Sequence, residues 1–281
     1  MKNKRFAVIS IHYTTKCNMQ PRCSFCYKNK SNEEKPLKFW YDLVPYLKQL
    51  TNQIACGGGE PFTNVPFIKN LGRICKKNKI ILNITSNGRL LMKLSDKELK
   101  EVLKDITMVS ISYDDYKVKT KKDMDNYIKL VQRIKKITKC QVGSNLLVSE
   151  RMFKDNGIVF KKLVDMLFTI GCDRVFALIM KNYSHPDILK FKLIYQILSI
   201  KYKHFYIDDC GKMILENNSY SNWKNKCHRG TGLISINEEG GISTCSFAQP
   251  FTYLKKPSDI LKIKIPKKEM GTNNCPFLKI K

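Results

Sequence analysis

The sequence predicts an α/β fold: a partial (β/α)6 TIM-like barrel followed by a small C-terminal β-hairpin module that carries cysteines. Three observations lead there. Short, β-branched apolar runs bounded by turn signals recur six times. Stretches with the 3.6-residue helical period lie between them. After about residue 205 the alternation gives way to hairpin-like patterns and four further cysteines. Repeated β-then-α units mean parallel strands joined by right-handed crossovers. Six units fall short of the eight that close a full barrel. An open doubly wound sheet satisfies the same periodicity.

The strands read, in order, as 7–13, 53–56, 80–85, 107–112, 141–148 and 174–180. Each is a short apolar run of the kind that buried parallel strands show. The first helix lies around Trp40 to Leu50, and Pro45 must sit in its first turn or mark a kink. Ser95 and Glu98 form a capping box ahead of the next helix. Tyr127, Leu130, Val131 and Ile134 line one helix face, and Phe160, Leu163, Val164 and Leu167 another. A last amphipathic stretch runs from Pro186 to Tyr202. "FYIDDCGKMILE" and "GLISINEEGGISTC" read as hairpins, with Glu239-Gly240-Gly241 as a turn. A boundary near 205 gives a core of residues 1–205 and a cysteine-bearing module of 206–281.

The chain has 281 residues, 43% hydrophobic and 27% charged, which is globular composition. The apolar run after the basic start is too short for a signal peptide, and eighteen apolar residues never run together. The expectation is a cytoplasmic protein with no membrane partner. The net charge of +27 raises the prospect of a polyanion. Only eight of the 51 basic residues are arginine, however, and the lysines are spread along the chain without interleaved aromatics. Nucleic acid is therefore the less favoured partner.

Eleven cysteines is a high, odd count. In a cytosolic chain it speaks against a disulfide framework and for metal or redox chemistry. Cys75, Cys140 and Cys172 sit in ordinary apolar contexts and read as small buried hydrophobes. Cys56, ahead of a glycine run, stays undecided. Cys17, Cys23 and Cys26 form a C-x5-C-x2-C cluster directly after the first strand. A zinc knuckle wants a fourth ligand, as does a [4Fe–4S] cluster. Three thiolates leave one iron open for another molecule. Parallel-barrel enzymes place their chemistry at this end of the strands. The next strand ends in Gly57, Gly58, Gly59, Glu60 and Pro61. Glycines there let the backbone approach a ligand closely, and Glu60 adds an acceptor for a cationic group.

Together these two elements resemble the radical S-adenosylmethionine (radical SAM) superfamily. The resemblance implies that Cys17, Cys23 and Cys26 hold a [4Fe–4S] cluster and that SAM ligates the fourth iron. It places Gly58, Gly59, Glu60 and Pro61 at the methionyl amine of SAM and Phe25 beside adenine. Ser86 and Asn87, in "TSNG", resemble a family turn. Ser112, with Asp114 close by, resembles the end of the fourth strand near SAM. Asn145 and Ile179 resemble SAM-lining positions on the fifth and sixth strands. The common family spacing is C-x3-C-x2-C, so Gln20-Pro21 looks like an insertion. Cys227, Gly240 and Cys245 resemble the start of SPASM and Twitch modules. With Cys275 and Cys210 as further ligands, they imply at most one auxiliary iron–sulfur cluster. His228, next to Cys227, reads as solvent-facing ahead of a role as ligand, and His12, His185 and His204 take ordinary structural readings.

The resemblance implies an oxygen-sensitive enzyme that cleaves SAM reductively to a 5′-deoxyadenosyl radical, which abstracts hydrogen from substrate. It also implies an electron donor such as a flavodoxin or ferredoxin. A peptide or protein side chain is the leading substrate. The short stretch before Cys17 gives no expectation of a peptide-binding leader domain. That absence favours a small-molecule substrate, in dehydrogenation or rearrangement of a sugar, nucleotide or cofactor precursor. RNA modification follows from the charge. A non-enzymatic iron–sulfur redox or assembly protein is a further alternative, which the GGGEP element counts against.

Overall fold

All six expected strands form within a residue or two of their expected limits in the computed structural model, which describes residues 5–28, 33–179, 188–216 and 227–270. The strands are β1 (Val8–His12), β2 (Gln53–Gly57), β3 (Ile81–Ser86), β4 (Met108–Tyr113), β5 (Gln141–Val148) and β6 (Arg174–Ile179). Helices alternate with them: α1 (Leu37–Leu50), α2 (Val65–Lys77), α3 (Asp96–Leu103), α4 (Lys121–Ile137), α5 (Ile158–Thr169) and α6 (Ile188–Lys201). The fold class is the expected one, α/β with parallel strands of the partial TIM-like kind. No described helix is long and apolar enough to cross a membrane.

The chain divides into two compact units, and the division differs from a cut near 205. One unit comprises Met1–Val109, Ile137–Cys140 and His228–Gly271. The other comprises Ser110–Lys136, Gln141–Cys227 and Thr272–Lys281.

In the first unit β1 pairs in parallel with β2, and β2 with β3. The register sets Ile9 opposite Ile54 and Ile54 opposite Leu82, all buried. The tail hairpin joins this sheet. After β7 (Phe205–Ile207), strands β8 (Leu233–Ile236) and β9 (Gly241–Ser243) pair antiparallel, as "LISIN" and "ISTC" predict. Gly240 turns between them at φ 81°, a conformation that suits glycine. β8 then lies parallel to β1, with Ile234 opposite Ile9. A short strand, β10 (Thr252–Tyr253), pairs with β9. On the helical side α1 buries Phe39, Trp40, Leu43, Val44, Leu47 and Leu50. It begins at Leu37, so Pro45 lies beyond the first turn, inside the helix and on its exposed side. That forfeits one main-chain hydrogen bond. The Ser95–Glu98 capping box forms at the start of α3 as expected.

In the second unit β5, β6 and β7 are parallel, with Ser144 opposite Val175 and Val175 opposite Phe205. Phe153, Phe160 and Phe191 pack as an aromatic cluster, with Phe205 against Phe160. The segment read as a first tail hairpin is instead β7 followed by α7 (Asp209–Glu216). Asp208 decides this. Its side chain accepts from the Gly211 N–H at 2.8 Å and its carbonyl from Lys212, which is helix capping. β7 finds its partner in β6 rather than in the residues that follow it.

Candidate functional site

The site starts where β1 ends. Thr14 and Thr15 are buried, and Glu34 holds them: its Oε1 accepts from Thr14 Oγ1 at 2.7 Å and from the Thr15 N–H at 2.7 Å. The chain then enters the cysteine loop. Cys17 and Cys23 are half-buried and Cys26 is exposed. The Cys26 N–H donates to the Cys23 carbonyl at 2.9 Å, closing a tight turn. Arg22, inside the loop, donates to the Thr15 carbonyl at 3.0 Å and to the Lys28 carbonyl at 2.7 Å. One planar guanidinium thus ties the loop's entry to its exit, a task its fixed fork of donors suits. The inserted Gln20–Pro21 bond is cis.

The glycine run presses on the entry to this loop. A Cβ on Gly58, whose φ is 119°, would meet the Thr14 carbonyl at 2.6 Å. A Cβ on Gly59 would meet the Lys16 carbonyl at 2.0 Å, far inside contact distance. The Gly59 N–H donates to Thr14 O at 2.8 Å and the Glu60 N–H to Lys16 O at 2.7 Å. Two of the glycines therefore admit the backbone of the cysteine loop, a need not visible in the sequence.

Glu60 is 1% exposed. Its Oε1 accepts from Ser86 Oγ at 2.8 Å and from the Phe62 N–H at 3.1 Å, and its Oε2 from the Asn87 N–H at 2.7 Å. The carboxylate joins the end of β2 to the end of β3. Asn87 carries the link onward: its side-chain amide donates to Asn18 Oδ1 at 2.8 Å and lies 4.0 Å from the Cys17 sulfur. Tyr13 donates to the Pro61 carbonyl at 2.6 Å. Cys17, Gly58, Gly59, Glu60, Pro61, Ser86 and Asn87 thus form one connected constellation. Arg22, Glu34 and Asn18 belong to it and were not singled out in the sequence. Arg22's place between two cluster cysteines was the available signal.

Behind the loop His12 is 4% exposed, with its Nε2 3.1 Å from Ser10 Oγ and 3.4 Å from Ser246 Oγ. Burial first, and the nearby Lys28 charge second, lower its pKa to about 3, so the ring is neutral at physiological pH. Tyr27, next to Cys26, packs on Phe247, with ring centroids 4.4 Å apart.

Phe25 lies half-buried in the cysteine loop of the first unit, and three further expected residues lie in the second unit. Ser112 on β4 and Asn145 on β5 are half-buried, and Ile179 closes β6 at 2% exposure. Asp114 turns to its own chain, accepting from the N–H groups of Tyr116 and Lys117 at 3.0 and 2.9 Å and pairing with the Lys117 ammonium.

None of the ten described cysteines is in a disulfide. Cys56, Cys75, Cys140 and Cys172 are buried. Burial pushes the Cys75 and Cys172 thiols up to about 12 and the Cys56 thiol higher still. Cys56, undecided in sequence, is a core residue of β2 opposite Ile11. Buried, protonated thiols are poor metal ligands. The loop trio is accessible instead: soft donors reaching solvent on one closed loop, a set that suits an iron–sulfur cluster. Of the tail candidates, Cys210 sits on α7 and Cys227 follows in the second unit, both half-buried. Cys245 follows β9 in the first unit, and Cys275 lies outside the described residues. Among the described residues no three His, Cys, Asp or Glu side chains converge as they would on a single metal ion.

The family model described as "Radical SAM superfamily" matches residues 11–150, the span from β1 past β5 that carries the constellation. An uncharacterised protein of Methanocaldococcus jannaschii, MJ0907, is 26% identical over 285 residues, covering 94% of each chain. Among solved structures, Streptococcus suis SuiB bound to the precursor peptide SuiA superposes with a TM-score of 0.66 at 19% identity, over 86% of this chain. This chain spans 60% of SuiB's length. Native anSMEcpe with bound AdoMet and the Cp18Cys peptide gives a TM-score of 0.58 at 13% identity, covering 90% of this chain and 78% of that one. With its three-cysteine loop, its GGGEP strand end and its parallel α/β fold, this chain belongs to the radical SAM superfamily, which implies SAM and a [4Fe–4S] cluster as its cofactors.

Proposed function

We propose that the chain is a radical SAM enzyme acting on a peptide or protein side chain. The observation that carries the proposal is the closed loop bearing Cys17, Cys23 and Cys26, bound to the ends of β2 and β3 through Gly59, Glu60 and Asn87. These three thiolates hold the [4Fe–4S] cluster. The cofactor pair, when bound, supplies a 5′-deoxyadenosyl radical able to abstract hydrogen from a substrate C–H bond.

The chain's own residues position and shield. The main chain of Gly58 to Pro61 faces the methionyl amine of SAM. Glu60 holds that strand end by accepting from Phe62, Ser86 and Asn87, so its part in binding SAM is exerted through the backbone it fixes. Asn87 orients Cys17. Phe25 and Ser86 line the SAM pocket, Phe25 against adenine. Residues 1–205 carry this chemistry. Residues 206–281 supply one auxiliary iron–sulfur cluster. A small acidic redox protein, flavodoxin or ferredoxin, delivers the electron in the cytoplasm. The peptide class of substrate is supported by the bound peptides of SuiB and anSMEcpe.

The test has two parts. Iron and sulfide are measured after anaerobic reconstitution of the wild type and of the Cys17→Ala/Cys23→Ala/Cys26→Ala variant. A [4Fe–4S] signal that survives in the variant supports the auxiliary cluster; complete loss of iron contradicts it. Hydrogen transfer into 5′-deoxyadenosine is then followed with deuterated peptides and with deuterated small molecules. Label arriving only from small molecules overturns the peptide assignment.

A further inference from the structure

The exit of the cysteine loop is clasped by the tail hairpin. Lys28 stands two residues after Cys26, and its ammonium lies 2.9 Å from Glu238 Oε2, 210 positions away in sequence. Both side chains are 9% exposed. By contrast, Lys69–Glu101, Lys76–Asp105, Lys135–Asp173 and Lys201–Asp165 leave their lysines 36–69% exposed. Burying both charges costs desolvation that the pair's own attraction does not reliably return, so stability alone is a weak reason for such a pair.

Its surroundings are built to fix it. Glu238 sits in the β8–β9 turn, where Asn237 Oδ1 accepts from the N–H groups of Glu239 at 3.2 Å and Gly241 at 2.6 Å. The Glu238 carbonyl accepts from the Lys35 N–H at 2.7 Å. The Lys28 carbonyl receives Arg22 at 2.7 Å, and the Cys26 sulfur lies 4.0 Å from it. Lys28 also reaches over the Tyr27 ring, 5.9 Å from its centroid. A buried positive charge and its buried counter-charge are therefore held at the third cysteine.

We propose that Lys28 and Glu238 are positioning residues whose fixed, opposite charges set the reduction potential of the cluster on Cys17, Cys23 and Cys26, making the tail hairpin part of that site. The proposal rests on the reading of those cysteines as cluster ligands. Cluster potentials respond to net charge and exposure nearby. Removing the negative charge makes the cluster easier to reduce; removing the positive charge makes it harder. These signs hold whichever member of the pair stands nearer the iron.

The experiment is an EPR-monitored redox titration of anaerobically reconstituted protein, read on the signal component that changes when SAM is added. Glu238→Gln is expected to raise the midpoint potential and Lys28→Met to lower it. Lys28→Met/Glu238→Gln, which leaves neither charge buried alone and so protects folding, is expected to return close to the wild-type value. Lys28→Arg is expected to match wild type. Iron content per chain serves as the control for intact sites. A pair that merely braced the loop would reduce iron content in both single variants without shifts of opposite sign. Unshifted potentials, or shifts in one direction, with iron retained overturn this proposal alone. A wild-type protein with no SAM-responsive cluster overturns both it and the reading beneath it.

Discussion

In the first unit the residues that follow β1, β2 and β3 hold one another. Glu60 binds Ser86 and Asn87, Asn87 reaches Asn18 and Cys17, and Gly59 donates to Thr14. In the second unit the contacts at the strand ends are weaker: Asp114 caps its own turn with Tyr116 and Lys117, and Ser149 Oγ reaches from the end of β5 to Asp115 after β4 through an exposed bond of 3.3 Å. A network of buried charge-assisted bonds specifies one geometry, and losing a member exposes the others to unmet polar groups. Local caps do not propagate in that way. The difference teaches that substitutions are expected to be felt most in the first unit, where these bonds tie three strand ends together.

The glycine run gives the sharpest way to break that comparison. Gly59→Ala sets a methyl group 2.0 Å from the Lys16 carbonyl, a backbone atom that cannot swing aside as a flexible side chain would. It is expected to cost about 3 kcal/mol or more in urea unfolding and to abolish cluster incorporation. Gly57→Ala, two residues away, meets only the His12 ring at 3.7 Å, an ordinary contact. Its unfolding midpoint is expected to stay within about 0.5 kcal/mol of wild type. Equal effects of the two would remove the close-approach account of the glycines.

Glu60→Gln comes next. It keeps the volume but sets an amide donor where Oε2 now accepts from the Asn87 N–H, or displaces the acceptor at Ser86 and Phe62. A loss of about 1–3 kcal/mol is expected from thermal or urea unfolding, with weaker cluster retention. Ser112→Ala, in the second unit, is expected to leave stability within about 0.5 kcal/mol and iron content unchanged. A second-unit substitution that strips the cluster as Glu60→Gln does would contradict the contrast.

His12 supplies a pH dependence. Its pKa is lowered from 6.5 to about 3 on folding, chiefly by burial. The unfolded chain thus binds the proton first as pH falls. Stability is full above 6.5 and lost on acidification toward 3. Between pH 6.5 and 5, before carboxylates dominate, the slope from this proton alone approaches about 1.4 kcal/mol per pH unit. His12→Asn is expected to flatten that slope in urea unfolding. An unchanged slope would place the titration elsewhere.

Much of this was legible in the sequence. The strands announced themselves as apolar runs, and Ser95 with Glu98 marked a helix start that formed as written. The three-cysteine loop and GGGEP were visible because each is contiguous. What was hidden is long-range. Nothing local in "LISI" says that β8 lies parallel to β1. Lys28 and Glu238 are single charges among many until the fold buries them together. The β7–α7 segment was misread because a three-residue strand carries little periodicity. Asp208 ahead of "DCGKMILE" was the cap signal that should have outweighed it.

The central claim is that Cys17, Cys23 and Cys26 present a cluster to SAM. It is tested most directly by measuring 5′-deoxyadenosine after anaerobic reconstitution, with SAM and a strong reductant, in the wild type and in the triple alanine variant. The account predicts product from the wild type and none from the variant. A wild-type protein that holds a [4Fe–4S] cluster yet leaves SAM intact, or a variant that still yields product, would contradict it.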